Sequence, residues 1–392
     1  MSKKTYIKYI PGRSLTYESR DKRELSAARE AGFAVKVIGA DDRAEFESCY
    51  PDYELISDGI VELNSSIPKP KKYFLILRNY FSAIKAVYIT QGDAISCHDI
   101  DSLFMCWIGQ LFKMHKAKMI YDSHEFEIGR NKKRNKLQLW WVTHLERFLI
   151  KRCAFSIMVN DSIADEVQRI HGLAERPIVV RSTPEEWKIS PEVCSEKRRE
   201  LLARFGDQVD FLLMFHGNLG RGNGIGRVIK ALAEFDGIGL VLMGSHPEEA
   251  FISELEALAK ELGVSDRVLY LPPVEGCDIW KYAGAVDVEM MIIEPIVKSY
   301  YYCLPNKFFE SVQSLTPIIA SDLPEMKRLI DAYQIGLTCK YDDADALADR
   351  ISRMRNDREL VLKFRDNLKK AKHDLCWENE KEILKKAYRT FL

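Results

Sequence analysis

The sequence predicts two α/β domains, each a parallel sheet covered by helices, and three observations lead to this prediction. The chain has 392 residues, which exceeds the roughly 100–200 residues of a typical domain. Short apolar runs rich in β-branched residues alternate with longer segments of helical periodicity in both halves. A polar segment without strand signals, residues 182–207 with Pro184 and Pro191, separates the two halves.

The first half alternates strand and helix signals along its whole length. The predicted strands are residues 5–10, 34–39, 60–63, 94–97, 119–121, 155–159 and 178–180. The predicted helices are residues 20–30, 71–88, 103–115, 137–152 and 164–170. Gly32 follows the first helix, where a glycine commonly ends one, and Asp161 and Ser162 are candidate N-caps of the last. Short apolar strands between helices are typical of a parallel sheet.

The second half repeats this plan. Its predicted strands are residues 211–215, 239–243, 268–271, 286–293 and 317–320, and its predicted helices are residues 225–235, 249–262, 306–314 and 324–330. Residues 342–392 have the pattern of two or three successive helices without a strand. Two such domains that meet at the carboxyl ends of their strands are expected to form an interdomain cleft, where ligands bind near helix N-termini.

The composition argues against several classes of protein. Lys plus Arg and Asp plus Glu both number 58, and this zero net charge argues against a nucleic-acid binder. The chain has no apolar run of about 18 residues, and its first residues lack the apolar core of a signal peptide. We therefore expect a cytosolic protein without a transmembrane helix. Nine cysteines without a CxxC pair favour reduced thiols over a disulfide framework or a zinc site.

The neutral total hides a basic region in the first half. Residues 61–160 contain 16 Lys and Arg against 8 Asp and Glu, a net charge of +8. Residues 69–88 have apolar side chains at helical spacing and basic residues on the other face, and the basic residues 130–136 precede Trp140 and Trp141. One interpretation is a core helix with a solvated face, followed by a loop. The other is a surface that docks to anionic lipid.

Residues 301–325 carry the strongest sign of a binding site. Pro305 suits the first turn of a helix, so the backbone N–H groups of residues 303–307 would point outward at the positive end of the helix dipole. That arrangement favours a diphosphate, to which Lys307 adds a cation. Glu310, one turn further on, is placed to accept both hydroxyls of a ribose. The same pattern also fits an amphipathic helix with an exposed lysine and glutamate, and both interpretations stay open.

The order and spacing of several motifs resemble glycosyltransferase family 4, whose members are retaining enzymes of the GT-B fold that use nucleotide sugars. The resemblance extends over nearly the whole chain. The segments that carry it are Leu304-Pro-Asn-Lys-Phe-Phe-Glu310, Thr316-Pro-Ile-Ile-Ala-Ser-Asp-Leu-Pro-Glu325, residues 21–39, His98-Asp99, Tyr121-Asp-Ser-His124-Glu125, residues 215–225 and Trp377-Glu378. The resemblance implies two doubly wound Rossmann-like domains. They would be an N-terminal acceptor-side domain, residues 1–182, a linker, 183–207, and a nucleotide-sugar-binding domain, 208–375, with a final helix of about residues 376–392 that crosses back.

The resemblance also implies a donor site in the second domain. Glu310 corresponds to the second glutamate of the family's paired-glutamate motif, which holds the nucleotide ribose, and Tyr302 replaces the first glutamate. The usual basic residues of the loop after Phe215 are Asn218 and Asn223 here, so Arg221 is expected to neutralise the diphosphate opposite Lys307. The predicted diphosphate-binding residues are therefore Gly217, Arg221, Cys303, Asn306 and Lys307, and the predicted nucleotide pocket is Gly244, Ser245, Pro273 and Val274.

In the first domain, the resemblance places a catalytic histidine over the anomeric centre of the donor. His124 holds that position after the strand at residues 119–121. Without the resemblance, composition alone favours a loop histidine held by Asp122 or Glu125. His98, Asp99 and Glu125 are predicted to shape the floor of the cleft.

Two other motifs suggest different chemistry, and a third motif is absent. Asp99-Ile-Asp101 has the spacing of a metal-binding DxD motif, but Asp101 is better explained as the cap of a helix starting at Ser102. The glycines at residues 217–224 suggest a dinucleotide loop, but the acidic residue expected about 20 positions later is absent. No G-x-S-x-G nucleophile motif is present, which disfavours a hydrolase.

We therefore expect an enzyme that transfers a sugar from a nucleoside diphosphate sugar, of the UDP or GDP type, to a hydroxyl acceptor with retention. We expect no metal, no other cofactor and no nucleic-acid partner. A lipid-linked glycan acceptor would suit the basic region, and the protein would then lie in the cytosol or peripherally on the inner face of the membrane. The alternatives are a nucleotide-sugar epimerase and a non-catalytic GT-B scaffold subunit, the latter suggested by Tyr302, Asn218 and Asn223.

Overall fold

The computed structural model describes residues 3–15, 19–61, 67–130, 134–246 and 248–392. The chain divides into two compact units. The first comprises Met1–Ser182 and Glu380–Leu392, and the second comprises Thr183–Asn379. Each unit has a parallel sheet with helices packed on it, which confirms the predicted α/β fold.

The elements of the first unit follow one another as alternating strands and helices. They are β1 (Thr5–Tyr9), α1 (Ser19–Glu30), β2 (Ala34–Gly39), α2 (Arg43–Cys49), β3 (Tyr53–Ser57), α3 (Lys69–Ile89), β4 (Ala94–Cys97), α4 (Ile100–Gln110), β5 (Lys118–Ser123), α5 (Lys136–Ile150), β6 (Phe155–Met158), α6 (Asp161–His171) and β7 (Ile178–Val179).

The first sheet has the order β3-β2-β1-β4-β5-β6-β7 among the described residues, and all its strands are parallel. The chain moves outward from β1 in one direction through β2 and β3, and in the other direction from β4. The order therefore reverses between β1 and β4, which is where doubly wound sheets open a crevice at the carboxyl ends of their strands.

Some predicted elements of the first unit are wrong in detail. The strand predicted at residues 60–63 lies partly outside the described residues, and the third strand of the sheet is β3, residues 53–57. Helix α6 is capped by Asn160, whose side chain accepts from the Ile163 N–H, and Asp161 and Ser162 follow that cap. Asparagine is as good an N-cap as aspartate, so composition alone did not distinguish the neighbouring positions.

The second unit repeats the pattern with a longer helical end. Its elements are α7 (Pro191–Phe205), β8 (Val209–His216), α8 (Ile225–Leu232), β9 (Gly237–Met243), α9 (Glu249–Glu261), β10 (Val268–Leu271), α10 (Ile279–Ala283), β11 (Val288–Met291), α11 (Lys298–Tyr301), α12 (Asn306–Gln313), β12 (Ile318–Ser321), α13 (Pro324–Tyr333), β13 (Gly336–Cys339), α14 (Ala344–Asn356) and α15 (Arg358–Asp374). The last helix, α16 (Trp377–Phe391), begins in this unit and ends in the first.

The second sheet is also parallel, with the order β10-β9-β8-β11-β12-β13 in the described chain, so its strand order reverses between β8 and β11. Strand β11 and the part of β9 after Gly237 are buried. The segment predicted as a linker is not an extended connector, because residues 191–205 form α7, whose N-cap is Ser190. We did not predict this helix from the sequence because most of its residues are polar and its buried apolar stripe is narrow, with only Cys194, Leu201 and Phe205.

Much of the apolar face of helix α3 is exposed and is not packed into the core. Its buried residues are Leu75, Ala83, Ala86 and Val87, whereas Phe74 and Phe81 are 66% and 65% exposed within the structure. Helix α4 packs against both α3 and α5. We call the exposed apolar side chains of these three helices and the segment after α4 the aromatic layer. It consists of Tyr73, Phe74, Leu77, Tyr80, Phe81, Tyr88, Ile89, Leu111, Phe112, Met114, Leu137, Leu139, Trp140, Trp141 and Phe148.

The basic residues of this region are described only in part. Lys69, Lys71 and Lys85 are exposed on α3, but Lys132 and Lys133 of the predicted cluster at residues 130–136 lie outside the described residues. Among the described residues, no helix combines the length and the apolarity needed to cross a bilayer.

Candidate functional site

A cavity of about 450 Å³ opens at the carboxyl ends of β8, β9 and β10 in the second unit. This is the edge at which parallel α/β sheets bind ligands. Its walls come from the loops after three strands and from the start of α12. The lining residues are His216, Gly217, Asn218, Asn223, Met243, Gly244, Ser245, Pro273, Val274, Ile279, Pro305, Asn306, Lys307 and Glu310. The structure thus brings together every residue predicted for the donor site except Arg221 and Cys303.

The floor of the cavity is a close crossing of two backbone loops. The Gly217 N–H donates to the Met243 carbonyl at 2.9 Å, and the Leu219 N–H donates to the Ser245 carbonyl at 2.8 Å. Gly244 has a φ of 150°, and a Cβ atom there would lie 1.7 Å from the Gly217 carbonyl oxygen. Only glycine fits this crossing, and its lack of a side chain lets a ligand approach the backbone.

Helix α12 presents a free N-terminus to the cavity. Its N-cap is Pro305, which makes no side-chain cap, and the first backbone bond of the turn runs from the Phe308 N–H to the Pro305 carbonyl at 2.9 Å. In the described chain, the N–H groups of Asn306 and Lys307 have no protein acceptor. Unpaired N–H groups at the positive end of a helix dipole bind anions such as phosphate.

Cys303 does not take the part predicted for it. Its N–H donates to the Tyr300 carbonyl at 3.2 Å, so this backbone group is already paired. Burial raises the pKa of its thiol to about 12, although the nearby Lys307 lowers it. Cys303 packs beside the apolar core beneath α12 rather than lining the cavity.

Lys307 is a buried cation in the first turn of α12. Its Nζ atom lies 3.3 Å from the centroid of the Phe215 ring, a cation–π contact. Burial lowers the pKa of this lysine to about 8, although the charge of Glu289 opposes the shift. The ammonium is therefore held in a poorly hydrated position, where an incoming anion gains more from it than in water.

We predict that binding of a nucleoside diphosphate weakens as the pH rises above about 8. Lys307 is protonated below its pKa of about 8, so the cation is present at pH 7 and is lost at higher pH. Calorimetric titration with UDP and GDP between pH 7 and 8.5 measures this dependence. In the Lys307→Met variant, binding is weaker at pH 7 and its dependence on pH over this range disappears. An equally steep decline in that variant would contradict the assignment to Lys307.

His216, which lies at the end of β8, was not among the residues predicted for the site. Its Nδ1 atom is 3.0 Å from Glu289 Oε1, and its Nε2 atom is 2.9 Å from Glu310 Oε2. Burial alone lowers the pKa of His216, but the charge of Glu289 and hydrogen bonds to both carboxylates outweigh burial and raise it to about 9. The ring is then an imidazolium that donates to both glutamates. A glutamate inside the apolar strand β11 is the sequence signal that could have revealed this pair.

Arg221 does not line the cavity. Its guanidinium donates to Glu254 at 2.6 and 2.9 Å and to Glu248 at 3.2 Å, and it stacks on Phe251 at 4.8 Å. These partners lie on or next to α9, so the side chain extends away from the diphosphate position that we predicted. The neighbouring Asn223 instead holds the loop, donating to the Asn218 and Gly220 carbonyls. Lys307 is then the lysine or arginine among the described lining residues.

The first unit has a separate cluster of buried charges at the carboxyl ends of its strands. Lys8 Nζ lies 2.9 Å from Asp21, 2.6 Å from Glu24 and 3.7 Å from Asp122. Arg20 adds bonds to Glu24 at 3.0 Å and to Asp122 at 2.9 Å. Two cations thus face three buried carboxyl groups, and charges in low-dielectric surroundings require such partners.

His124 lies at the edge of this cluster. Its Nε2 atom is 3.1 Å from Asp122 Oδ2, and its ring stacks on that of His98 with centroids 5.3 Å apart. Asp21, Glu24 and His124 are close enough to bind a metal ion, but the Lys8 ammonium already lies against both carboxylates. The contact with Asp122 agrees with a loop histidine, and the catalytic role of His124 stays a prediction.

The two other residues predicted for the cleft floor have structural partners. Asp99 is the N-cap of α4 and accepts from the Ser102 N–H at 2.7 Å, so the cap predicted at Asp101 is wrong by two positions. Asp101 lies exposed in the first turn. Glu125 pairs with Arg130 at 2.8 Å. Asp99 thus caps the helix backbone, and the absence of a metal site at Asp99-Ile-Asp101 stays a prediction.

The sequence of the second unit matches a known family. Residues 201–372 match the family described as Glycosyl transferases group 1. The match covers most of the second unit, and the cavity, the crossing at Gly244 and the start of α12 all lie within it. A comparison of the chain with curated proteins gave no match.

Solved structures resemble the whole chain, including the first unit. Sucrose-phosphate synthase from Thermosynechococcus elongatus matches with a TM-score of 0.76 and 17% identity, covering 99% of each chain. Anabaena HepE, solved in complex with UDP and glucose, matches with a TM-score of 0.72 and 16% identity, covering 99% of each chain. WaaG, a glycosyltransferase involved in lipopolysaccharide biosynthesis, matches with a TM-score of 0.64 and 16% identity, again over 99% of each. These likenesses show the fold, which is GT-B.

Proposed function

We propose that the protein transfers a sugar from a nucleoside diphosphate sugar to a hydroxyl acceptor with retention of the anomeric configuration. The observation that carries the proposal is the cavity of the group 1 domain, where the open N-terminus of α12, Lys307 and Glu310 line one wall. The group 1 match and the resemblance to family 4 support the same activity. A place in the synthesis of cell-surface polysaccharide or glycolipid follows from that resemblance.

The chemistry that this wall can perform is stabilisation of a leaving diphosphate. As the bond between the sugar and the diphosphate breaks, negative charge grows on the phosphate oxygens. The N–H groups of Asn306 and Lys307 and the Lys307 ammonium are already oriented before that charge forms, which is the most effective kind of electrostatic catalysis. Glu310 would accept the ribose hydroxyls and hold the nucleotide in register with these donors.

We further propose that the reaction needs no metal ion. The helix N-terminus and Lys307 supply positive charge at the diphosphate position, and Asp99 of the Asp99-Ile-Asp101 segment is engaged as the N-cap of α4. Turnover is therefore expected to continue in excess EDTA. Complete loss of turnover on chelation, restored by Mg²⁺ or Mn²⁺, would contradict this.

The experiment that tests the function is a thermal-shift panel of UDP, GDP, ADP and their common sugars, followed by assays of sugar transfer and donor hydrolysis. UDP is the first probe, because HepE, which shares the fold, was solved with UDP and glucose. A ligand at 100 times its Kd adds about 2.7 kcal/mol of stability, which is a shift of several degrees. If the protein binds the donor but shows neither sugar transfer nor slow donor hydrolysis, an epimerase is favoured. If it binds no donor, a scaffold subunit is favoured.

We also propose that the first unit docks on an anionic membrane surface at the cytosolic face, where a lipid-linked acceptor would lie. The aromatic layer places at least six exposed aromatic rings on α3 and α5, both of which pack against α4, and exposed apolar side chains in such number mark an interaction site. The basic residues of the surrounding region 61–160, with its net charge of +8, match the sign of anionic lipid. Aromatic and basic residues together are typical of proteins that bind at the membrane interface.

We predict that the protein floats with anionic vesicles at low salt and not with neutral vesicles. Each Lys or Arg near an anionic surface contributes about 1 kcal/mol, and this attraction is screened by salt. Two variants test the two parts of the surface, Phe74→Ser/Phe81→Ser and Lys71→Ser/Lys72→Ser/Lys85→Ser, and both are expected to float less. The matched control, Lys260→Ser/Lys327→Ser/Lys369→Ser, changes the same charge in the second unit and floats like the wild type. A wild type that ignores anionic vesicles, or whose aromatic layer mediates self-association instead, would contradict the proposal.

A further inference from the structure

A line of three ionisable side chains runs from the interior of the second sheet to the cavity. Glu289 lies on β11 and is fully buried, His216 lies at the end of the adjacent strand β8, and Glu310 lies on α12 at the cavity wall. The Nδ1 side of the imidazole faces Glu289 at 3.0 Å, and its Nε2 side faces Glu310 at 2.9 Å. The His216 backbone N–H also donates to Glu289 at 3.2 Å, so the ring is anchored on its inner side.

This line fixes one half of the Glu310 carboxylate. Oε2 is bonded to His216, which leaves Oε1 for a ligand in the cavity. A glutamate side chain has several rotamers, and selecting one of them costs conformational entropy when a ligand binds. His216 is held by a central strand and by Glu289, so it can hold Glu310 in one rotamer before the ligand arrives. Preorganisation of this kind increases affinity without a new contact to the ligand.

We propose that His216, anchored by Glu289, is a positioning residue that orients Glu310 toward the ribose of the nucleotide. The inference rests on the proposed function, since it assigns Glu310 to the ribose. It adds that the Glu310 carboxylate is oriented by the buried pair of Glu289 and His216. His216 then contributes to nucleotide affinity only through Glu310.

The first unit contains a similar pair that serves as a control. His171 is buried, and its Nε2 atom lies 3.1 Å from Glu146 Oε2, while Glu146 Oε1 accepts from the Tyr121 hydroxyl at 2.9 Å. No residue of this group lines the cavity of the second unit. A buried histidine–glutamate pair that only stabilises its own unit should behave like this one.

The test is a double-mutant cycle measured by calorimetry with UDP and GDP. In the wild-type background, His216→Gln is expected to weaken binding of the preferred nucleotide about tenfold, within the range measured for residues in contact. In the Glu310→Ala background, the same change is expected to have no effect, because nothing is left to position. His171→Gln is expected to leave the affinity unchanged in both backgrounds. If His216→Gln weakens binding equally in both backgrounds, or in neither, the proposal is wrong.

A second variant keeps the test valid if His216→Gln does not fold. His216→Leu/Glu289→Leu removes the buried pair as a unit, a change that proteins often tolerate without loss of stability, and it should reproduce the weaker binding. As a spectroscopic check, adding UDP to wild-type protein should shift the ¹⁵N resonance of His216 Nε2 and leave that of His171 unmoved. If neither UDP nor GDP binds the wild type, the proposed function fails and the role of His216 with it. Nucleotide that binds equally well to the double-leucine variant overturns the positioning role alone.

Discussion

Replacing Glu310 with alanine is expected to abolish sugar transfer and to weaken nucleoside diphosphate binding about tenfold or more, since a charge-assisted hydrogen bond contributes roughly 1.5–3 kcal/mol. Glu310 lies on the cavity wall one turn inside α12, and its side chain is 20% exposed. Its removal takes away the carboxylate expected to hold the ribose, so a bound donor would no longer be aligned with the N-terminus of α12. Loss of alignment reduces turnover more than affinity.

Two further variants separate this role from a general loss of stability. Glu310→Gln keeps the shape and one acceptor oxygen, so it should retain part of the affinity. Glu294→Ala removes another partly exposed glutamate of the second unit, which pairs with Arg227 at 3.0 Å and does not line the cavity. It should bind and transfer like the wild type. Unchanged calorimetric affinity in Glu310→Ala for the nucleotide that the wild type binds would disprove the assignment.

The wall formed by α12 could be predicted from sequence because its features are local. Pro305 defines the start of a helix, Lys307 follows within the first turn, and Glu310 comes one turn later, so all three positions follow from helix geometry. These inferences needed no knowledge of which strands are neighbours.

What could not be predicted depends on contacts between distant parts of the chain. Arg221 pairs with Glu254, 33 residues away, and His216 bonds Glu289 and Glu310, 73 and 94 residues away. Such partners are known only once strand order and helix packing are fixed. The same limit explains α3, whose apolar stripe fits a core helix by periodicity, although the structure leaves much of that stripe exposed. Periodicity shows that a face is apolar and does not show what covers it.

Replacing Lys8 with methionine is expected to destabilise the first unit by about 3–5 kcal/mol, the usual cost of removing one partner from a buried ion pair. Lys8 lies in the central strand β1 with a fully buried side chain, and its ammonium contacts Asp21, Glu24 and Asp122. Without it, Arg20 alone faces three carboxylates that are shielded from water. Burial and the charge of Asp122 already raise the pKa of Glu24 well above its usual range, so Glu24 is the carboxyl that most readily takes up a proton.

The measurement is hydrogen exchange of peptides that cover β1 and β5, because exchange reports on this unit separately from the second. A loss of 3 kcal/mol or more corresponds to exchange at least about a hundredfold faster in the strands that open only on global unfolding. Lys36→Met on β2 is the matched control. Lys36 pairs with Glu54 at 2.9 Å at the surface, and surface pairs contribute about 0–1 kcal/mol. Adding Glu24→Gln to Lys8→Met should recover part of the loss, since it removes one of the three carboxylates that Arg20 must balance without changing the shape of the cluster. If Lys8→Met exchanges no faster than Lys36→Met, the three carboxylates do not depend on Lys8, and the charge balance derived for this cluster is wrong.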